Sequence, residues 1–93
     1  MIKSFRNAET AAIFDGKLPR GFPSTLVKVA RRKLEAVNAA ANLEDLGSPP
    51  GNKLHRLTND RRSQHAIWVN SQYRVCFFWD GDGATDVEIV DYH

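Results

Sequence analysis

The fold is decided by residues 73–79, which read Tyr-Arg-Val-Cys-Phe-Phe-Trp. An apolar run of this length, rich in aromatic side chains, is typical of a strand inside a sheet. Because side chains alternate along a strand, Val75, Phe77 and Trp79 share one face, and Arg74, Cys76 and Phe78 share the other. The stretch therefore predicts a central strand with two different faces.

Turn residues on both sides of this run predict an antiparallel sheet. Residues 80–83 read Asp-Gly-Asp-Gly, a strong hairpin signal. The other polar turns are expected at residues 58–62 and 70–72. The predicted strands are residues 54–57, 64–69, 73–79 and 85–91.

Helix signals lie in the first half of the chain. Residues 1–5 are predicted to form a short strand, and Asn7 is a helix N-cap that places Glu9 in the first turn. This helix should stop near Gly16. Residues 16–23 hold two glycines and two prolines, so they are predicted to form a loop.

A second helix is predicted from an apolar stripe that begins after a cap at Ser24. The stripe consists of Leu26, Ala30, Leu34, Val37 and Ala41. Residues 47–52, rich in glycine and proline, end the helix. Helices followed by hairpins imply an α+β fold with N-terminal helices packed on one face of an antiparallel sheet, and residues 1–93 suffice for a single domain.

Composition excludes several classes of protein. The chain is 42% hydrophobic with one cysteine, Cys76, so it is a globular protein without an internal disulfide framework. No apolar stretch approaches membrane-spanning length, and the charged N-terminus does not resemble a signal peptide. We therefore expect a cytoplasmic protein that does not contact a membrane.

Charge is distributed unevenly. Residues 17–74 hold eleven Lys and Arg against four Asp and Glu, a net charge of +7, whereas residues 79–93 hold five acids and no Lys or Arg. A basic region attracts phosphates through counterion release, which favours a nucleic-acid partner. The alternative interpretation is a solvated basic helix face.

Candidate chemistry lies in the predicted sheet. Cleavage of RNA needs a base for the ribose 2′-hydroxyl, donors for the phosphate and an acid for the leaving oxygen. Arg74 is notable because a cation among apolar neighbours must reach water or meet an anion. The other polar side chains also fit structural roles, as turn charges, ordinary sheet histidines or a frayed end.

Other chemistries lack their motifs. The three histidines do not have the close spacing of a metal site, and the sequence has no P-loop, dinucleotide glycine fingerprint or serine-hydrolase elbow. We therefore expect neither a metal nor a cofactor.

Four segments together resemble the HigB toxins of the RelE superfamily, also called plasmid maintenance killer proteins. They are residues 1–5, Lys53-Leu54-His55, Tyr73-Arg74-Val75 and Asp91-Tyr92-His93. Residues 48–52, 64–65 and 87–93 are most similar to the GraT-like members. The resemblance covers nearly the whole chain.

The resemblance implies a RelE-like fold and an endoribonuclease that cleaves messenger RNA in the ribosomal A site without a metal. It also implies a HigA-like helix-turn-helix antitoxin, through which alone the toxin would contact operator DNA. The implied catalytic cluster is His55, Arg74, Asp91, Tyr92 and His93. In it, His93 supported by Asp91 is the leading proton carrier, Tyr92 bonds to or stacks on a base, and Arg74 stabilises the phosphate.

The same resemblance implies that a set of basic residues contacts RNA or the ribosome. These are Lys28, Arg31, Arg32, Lys53, Arg56, Arg61 and Arg62. This chain departs from its relatives at Thr58, where they carry a lysine, and Arg56, Arg61 or Arg62 would have to compensate. Two alternatives are a ribosome-binding or RNA-binding module without catalysis and a corepressor of a DNA-binding antitoxin.

Overall fold

The structure is a computed structural model, and it describes residues 1–48, 50–57 and 64–92. Two α-helices precede a four-stranded antiparallel sheet in these ranges, which confirms the predicted α+β class. The helices are α1, Ala8–Phe14, and α2, Val27–Ala39. The strands are β1, His55–Arg56; β2, Gln64–Trp68; β3, Tyr73–Trp79; and β4, Ala84–Asp91. The turn predicted at residues 58–62 lies outside the described residues.

The strand β3 lies inside the sheet, as its sequence predicts. The sheet order is β1-β2-β3-β4, so β3 pairs with β2 on one side and β4 on the other. Val75 and Phe77 are fully buried on the face that α1 and α2 cover, and Cys76 is fully buried on the opposite face. The alternation predicted for this strand is confirmed.

The helix layer packs through α2. Ala30, Leu34 and Val37 are fully buried in one core with the side chains of β3. The stripe was predicted to end at Ala41, which is exposed; the helix ends at Ala39, and Ala40 is buried in an extended conformation instead. No helix in the described part of the chain is long and apolar enough to span a bilayer.

The two predicted helix caps have different outcomes. Asn7 caps α1, since its side-chain oxygen accepts a hydrogen bond from the Thr10 backbone N–H at 2.9 Å. The prediction that Ser24 caps α2 is wrong. Ser24–Leu26 forms a 3₁₀ helix that runs directly into α2, with Pro23 before it and no side-chain capping bond. Ser24 thus lies inside the helical segment.

The N-terminal residues run parallel to β4 without forming a continuous strand. Two isolated bridges join Ile2 to Ala84 and Phe5 to Val87. Between them Asp86 has a left-handed backbone, with φ at +50°, and its N–H donates to the Ser4 hydroxyl oxygen at 2.9 Å. The segment predicted as a strand at residues 1–5 thus pairs with β4 only through two isolated bridges on either side of Asp86, where the register between β3 and β4 shifts.

Candidate active site

The face of the sheet turned away from α1 and α2, called the open face below, carries a small apolar cluster. Leu57, Ala66 and Cys76 are buried in it, and Val90 and Tyr92 pack against them half-buried. Directly paired residues of neighbouring strands share a face, so the register assigns the other members. Trp68 pairs with Arg74, and Arg74 with Val90, which places all three on the open face.

Arg74 lies over two aromatic rings on the open face. Its guanidinium carbon is 4.0 Å from the centre of the Trp68 ring and 5.3 Å from the centre of the Tyr92 ring. A guanidinium at these distances is attracted by the negative face of each ring. Trp68 is supplied by β2, and Tyr92 follows the end of β4, so the hairpin register and the last strand together position Arg74.

The turn between β2 and β3 fixes Arg74 from its other side. The Asn70 side-chain oxygen accepts hydrogen bonds from the backbone N–H groups of Gln72, at 2.9 Å, and Tyr73, at 2.7 Å. One guanidinium nitrogen of Arg74, Nη1, donates to the carbonyl oxygens of Asn70 at 2.8 Å and Ser71 at 2.9 Å. These hydrogen bonds tie the Arg74 guanidinium to the turn at residues 70–72, which precedes Arg74 in the chain.

No carboxylate in the described ranges lies within 4 Å of the Arg74 guanidinium. Arg74 is half-buried near the start of β3, and its partners are two rings and several carbonyl groups. Rings and carbonyls attract a cation without neutralising its charge. An arginine in this state is suited to bind a phosphate through its remaining N–H groups.

Lys53 brings a second cation to the same place. Its Nζ lies 4.6 Å from the centre of the Trp68 ring. Its backbone is left-handed, with φ at +50°, a conformation uncommon for residues other than glycine. Lys53, Trp68, Arg74 and Tyr92 are called the cationic cluster below.

His55 stands on the open face beside this cluster. It is exposed and pairs with Ala66, two positions before Trp68 on β2. Its Nδ1 lies 2.8 Å from the Lys53 carbonyl oxygen. A carboxylate also stands on this face, at Glu88, 3.8 Å from the Arg6 guanidinium.

Asp91 lies on the other side of the sheet from the cationic cluster. It pairs with Tyr73, whereas Arg74 and Tyr92 occupy the alternate positions. With Tyr73, Phe22 and Ile89 it lines a groove of about 280 Å³ beside α1, and its carboxylate accepts a hydrogen bond from the Gln72 side chain at 3.0 Å. His93 lies outside the described residues. Arg74, Tyr92 and His55 therefore share the open face of the sheet, whereas Asp91 lies on the helix-covered face.

The predicted RNA contacts are spread over the molecule. Lys28, Arg31 and Arg32 are exposed on α2, which covers the face opposite the cationic cluster. Arg56 pairs with His65 and so points to the helix-covered side of β1. Lys53 is the one described member that joins the cluster, while Arg61 and Arg62 lie outside the described residues. In the described ranges, no three His, Cys, Asp or Glu side chains are grouped to hold a metal ion.

Comparison with known proteins gives the family. Residues 3–93 match the family described as RelE-like toxin of type II toxin-antitoxin system HigB. The chain belongs to this family. The toxin is 40% identical to Toxin HigB-1 of Vibrio cholerae over 79 residues, which are 85% of this chain and 82% of that protein. It is 29% identical to Endoribonuclease HigB of Proteus vulgaris over 93 residues, the full length of both.

Membership has two direct consequences. A toxin of a type II toxin-antitoxin system has an antitoxin partner, so this toxin has one. The layers seen in the described residues, two helices on a four-stranded antiparallel sheet, agree with the RelE-like description of the family. The fold and the toxin role expected from the resemblance are therefore confirmed.

Sequence reasoning missed Trp68, which contacts both cations of the cluster. A signal for it was present in the sequence. A turn over residues 70–72 makes positions 68 and 74 equidistant from its centre, so the two side chains face each other across the hairpin. Trp68 is the ring that this register offers to Arg74.

Proposed function

We propose that the toxin is an endoribonuclease that cleaves messenger RNA in the ribosomal A site by metal-independent acid–base chemistry. The observation that carries this proposal is the Arg74 guanidinium, held over Trp68 and Tyr92 with no described carboxylate as partner. A second cation, Lys53, lies over the same indole ring. The name of the Proteus vulgaris relative, Endoribonuclease HigB, supports the reaction class.

The proposed reaction is an internal attack within the RNA. A base removes the proton of the ribose 2′-hydroxyl, and the 2′-oxygen forms a bond to the adjacent phosphorus. The bond from phosphorus to the 5′-oxygen breaks, and an acid protonates that oxygen. The products are a 2′,3′-cyclic phosphate and a 5′-hydroxyl end. Arg74 stabilises the charge on the phosphate, because a guanidinium can donate to two of its oxygens at once.

The proton carriers in this proposal follow the family resemblance. His93, supported by Asp91, is the leading carrier, and His55 is a further one on the open face. Tyr92 stacks on a base or donates a hydrogen bond, which its position against Arg74 supports. Asp91 lies across the sheet from Arg74, so its proposed role is to act through another side chain and not on the bound phosphate.

The remaining basic residues are proposed to contact ribosomal RNA, whose phosphates position a protein without requiring a sequence. They are Lys28, Arg31, Arg32, Arg56, Arg61 and Arg62. We place this activity in the cytoplasm, where the ribosomes translate. The proposed antitoxin is a HigA-like helix-turn-helix protein, and it alone contacts operator DNA.

The test is to map RNA ends after induction of the toxin. Wild type and Arg74→Ala are expressed with a reporter message in two forms, one translated and one without its start codon. New ends are expected only in the translated form, and they should accept phosphate from polynucleotide kinase without prior dephosphorylation, because internal attack leaves a 5′-hydroxyl. Arg74→Ala should slow cleavage by about 10²- to 10³-fold, the usual loss for one electrostatic donor.

The matched control is Lys17→Ala, which removes an exposed cation that pairs with Asp15 outside the cluster. It should cleave like wild type. Equal cleavage by Arg74→Ala and wild type would contradict the site, and 5′-phosphate ends would contradict the chemistry. Ribosome binding without new ends would identify a non-catalytic module. Binding to its own promoter only with the antitoxin would add a corepressor role.

A further inference from the structure

We infer that Glu88 is the base of the proposed reaction, the group that takes the proton from the ribose 2′-hydroxyl. This role rests on the proposed function and deepens it, because it assigns one of the two proton carriers to a carboxylate on the open face. A histidine then supplies the proton to the leaving 5′-oxygen.

The register of β3 and β4 places Glu88 on the same face as Arg74. Glu88 pairs with Cys76, and Arg74 pairs with Val90. Arg74 and Glu88 are thus diagonal neighbours, whose Cα atoms lie about 7–8 Å apart in an antiparallel pair. The carboxylate of Asp91 lies on the helix-covered face. Of these two carboxylates, Glu88 is the one that shares a face with Arg74.

The two charged side chains are held by different partners on this face. The Arg74 guanidinium donates to carbonyl oxygens of the turn at residues 70–72. The Glu88 carboxylate lies 3.8 Å from Arg6, which belongs to the N-terminal segment beside β4. Within the described ranges no ion pair joins Arg74 to Glu88. A guanidinium and a carboxylate therefore stand close together without neutralising each other.

The N-terminal segment fixes the Glu88 carboxylate in place. Phe5 forms a bridge to Val87 and packs into the main core, so its neighbour Arg6 faces the open side. The Arg6 N–H donates to the Val87 carbonyl at 3.0 Å. The Glu88 side chain is only 14% exposed, and burial removes rotamer freedom from a glutamate. Its carboxylate thus has a defined position and still reaches the surface.

This arrangement suits internal attack, because the 2′-hydroxyl and the scissile phosphate are neighbours on one ribose. Arg74 holds the phosphate, and Glu88 accepts the proton of the hydroxyl beside it. The 2′-oxygen bonds to phosphorus, the bond from phosphorus to the 5′-oxygen breaks, and a histidine protonates that oxygen. Glu88 returns its proton to water once the products have left.

The experiment measures single-turnover cleavage by Glu88→Gln on ribosomes that carry a short synthetic messenger. Glutamine keeps the size of the side chain but cannot act as the base, so cleavage should slow by about 10²- to 10⁴-fold. The matched control is Glu35→Gln, which removes an exposed carboxylate 3.9 Å from Arg31 on α2. It should cleave like wild type.

A second messenger separates the base from the acid. It carries sulfur in place of the 5′-oxygen at the linkage that wild type cuts, and a thiolate leaves without first taking up a proton. The defect of Glu88→Gln should persist on this messenger. A rate restored to that of wild type would overturn the inference, because it would make Glu88 the acid.

A purely structural role of Glu88 predicts a different pattern. If Glu88 only paired with Arg6, Glu88→Gln would cost nothing further in a chain that already carries Arg6→Gln. Loss of the base should instead slow cleavage by the same factor in both backgrounds. If Glu88→Gln does not fold, Glu88→Asp keeps the charge and withdraws it by one methylene, which should slow cleavage by about 10²-fold. A wild-type rate in Glu88→Asp would then overturn the inference.

Equal cleavage by Glu88→Gln and wild type would overturn the role of Glu88 and leave the proposed function standing, since Arg74→Ala tests that function separately. A wild-type chain that cuts neither messenger would contradict both.

Discussion

Arg74 and Val75 are neighbours on β3, and their side chains lie on opposite faces of the sheet. Val75 is fully buried under the helix layer in one core with Phe77 and Leu34. Arg74 is half-buried on the open face, over the rings of Trp68 and Tyr92. The helix-covered face of the strand packs into the main core, and the open face combines a small apolar cluster with a cation held over two rings. The contrast separates the residues that stabilise the fold from those that we propose take part in the reaction.

The same contrast appears in how each face accepts positive charge. His65 lies on the helix-covered side, stacked on Phe77 with 6.3 Å between the ring centres. Burial lowers the pKa of His65, and Arg56 and His55 lower it further. Arg74 carries a guanidinium group, and the open face supplies rings and carbonyls that stabilise this cation. Burial therefore disfavours the charged form of His65, whereas rings and carbonyls stabilise the Arg74 cation.

The largest effect should come from the core. Phe77→Ala removes a fully buried ring and should lower the free energy of unfolding by about 3–5 kcal/mol, measured by urea denaturation. Its neighbour Phe78 is half-buried on the open face, so Phe78→Ala should cost clearly less. Equal losses in the two variants would break the distinction between the faces.

The next effect concerns Arg74 itself. Arg74→Lys keeps the charge but loses the guanidinium fork, and one charged hydrogen bond to a phosphate contributes about 1.5–3 kcal/mol, so single-turnover cleavage should slow by about 10- to 150-fold. The free energy of unfolding should change far less than in Phe77→Ala. A lysine variant that cleaves at the wild-type rate would show that position 74 needs only a charge.

A smaller effect is expected at Trp68. Trp68→Leu removes the ring under both cations and should slow cleavage by about 2- to 30-fold, the range that corresponds to one cation–π contact of about 0.5–2 kcal/mol. Trp68→Phe keeps a weaker ring and should recover part of the rate. Equal cleavage rates of Trp68→Leu and Trp68→Phe would show that the aromatic ring at position 68 contributes only packing.

The smallest effect is a pH dependence from His65. Because its pKa in the folded protein lies below the ordinary value of about 6.5, the unfolded chain binds more protons in that window. Stability should therefore be complete above about pH 6.5 and decline as the pH falls through the folded pKa. Urea midpoints of His65→Phe should decline less over this range, while Arg74→Lys should follow wild type. If the urea midpoint of His65→Phe depends on pH as strongly as that of wild type, a group other than His65 causes the pH dependence.

Local sequence patterns were sufficient for most of the fold. The alternation in residues 73–79 predicted both faces of β3, and Asn7 predicted the start of α1, because each signal depends on neighbouring residues alone. Ser24 was misjudged since Pro23 and a 3₁₀ turn extend the helical segment ahead of α2.

The candidate site depended on contacts that local patterns do not contain. Asp91 and Tyr92 are consecutive on a strand, so alternation separates them across the sheet, although the resemblance groups them in one cluster. The left-handed backbone at position 53 was not predicted, because the residue there is a lysine and not a glycine. Its neighbour Asn52 donates a side-chain hydrogen bond to the Leu46 carbonyl and accepts one from Lys33 Nζ, contacts that the local sequence pattern does not reveal.

The parallel bridges between the N-terminal segment and β4 have a consequence for biosynthesis. Ser4 and Asp86, bonded at this seam, are 82 positions apart in the chain. Contacts between such distant segments form late, because the intervening chain must first be ordered. Residues 2–5 precede β4 in the chain, so their bridges form only once β4 has been made, and the same holds for the contact of Tyr92 with Arg74. A nascent chain that lacks β4 and Tyr92 therefore carries no finished cationic cluster.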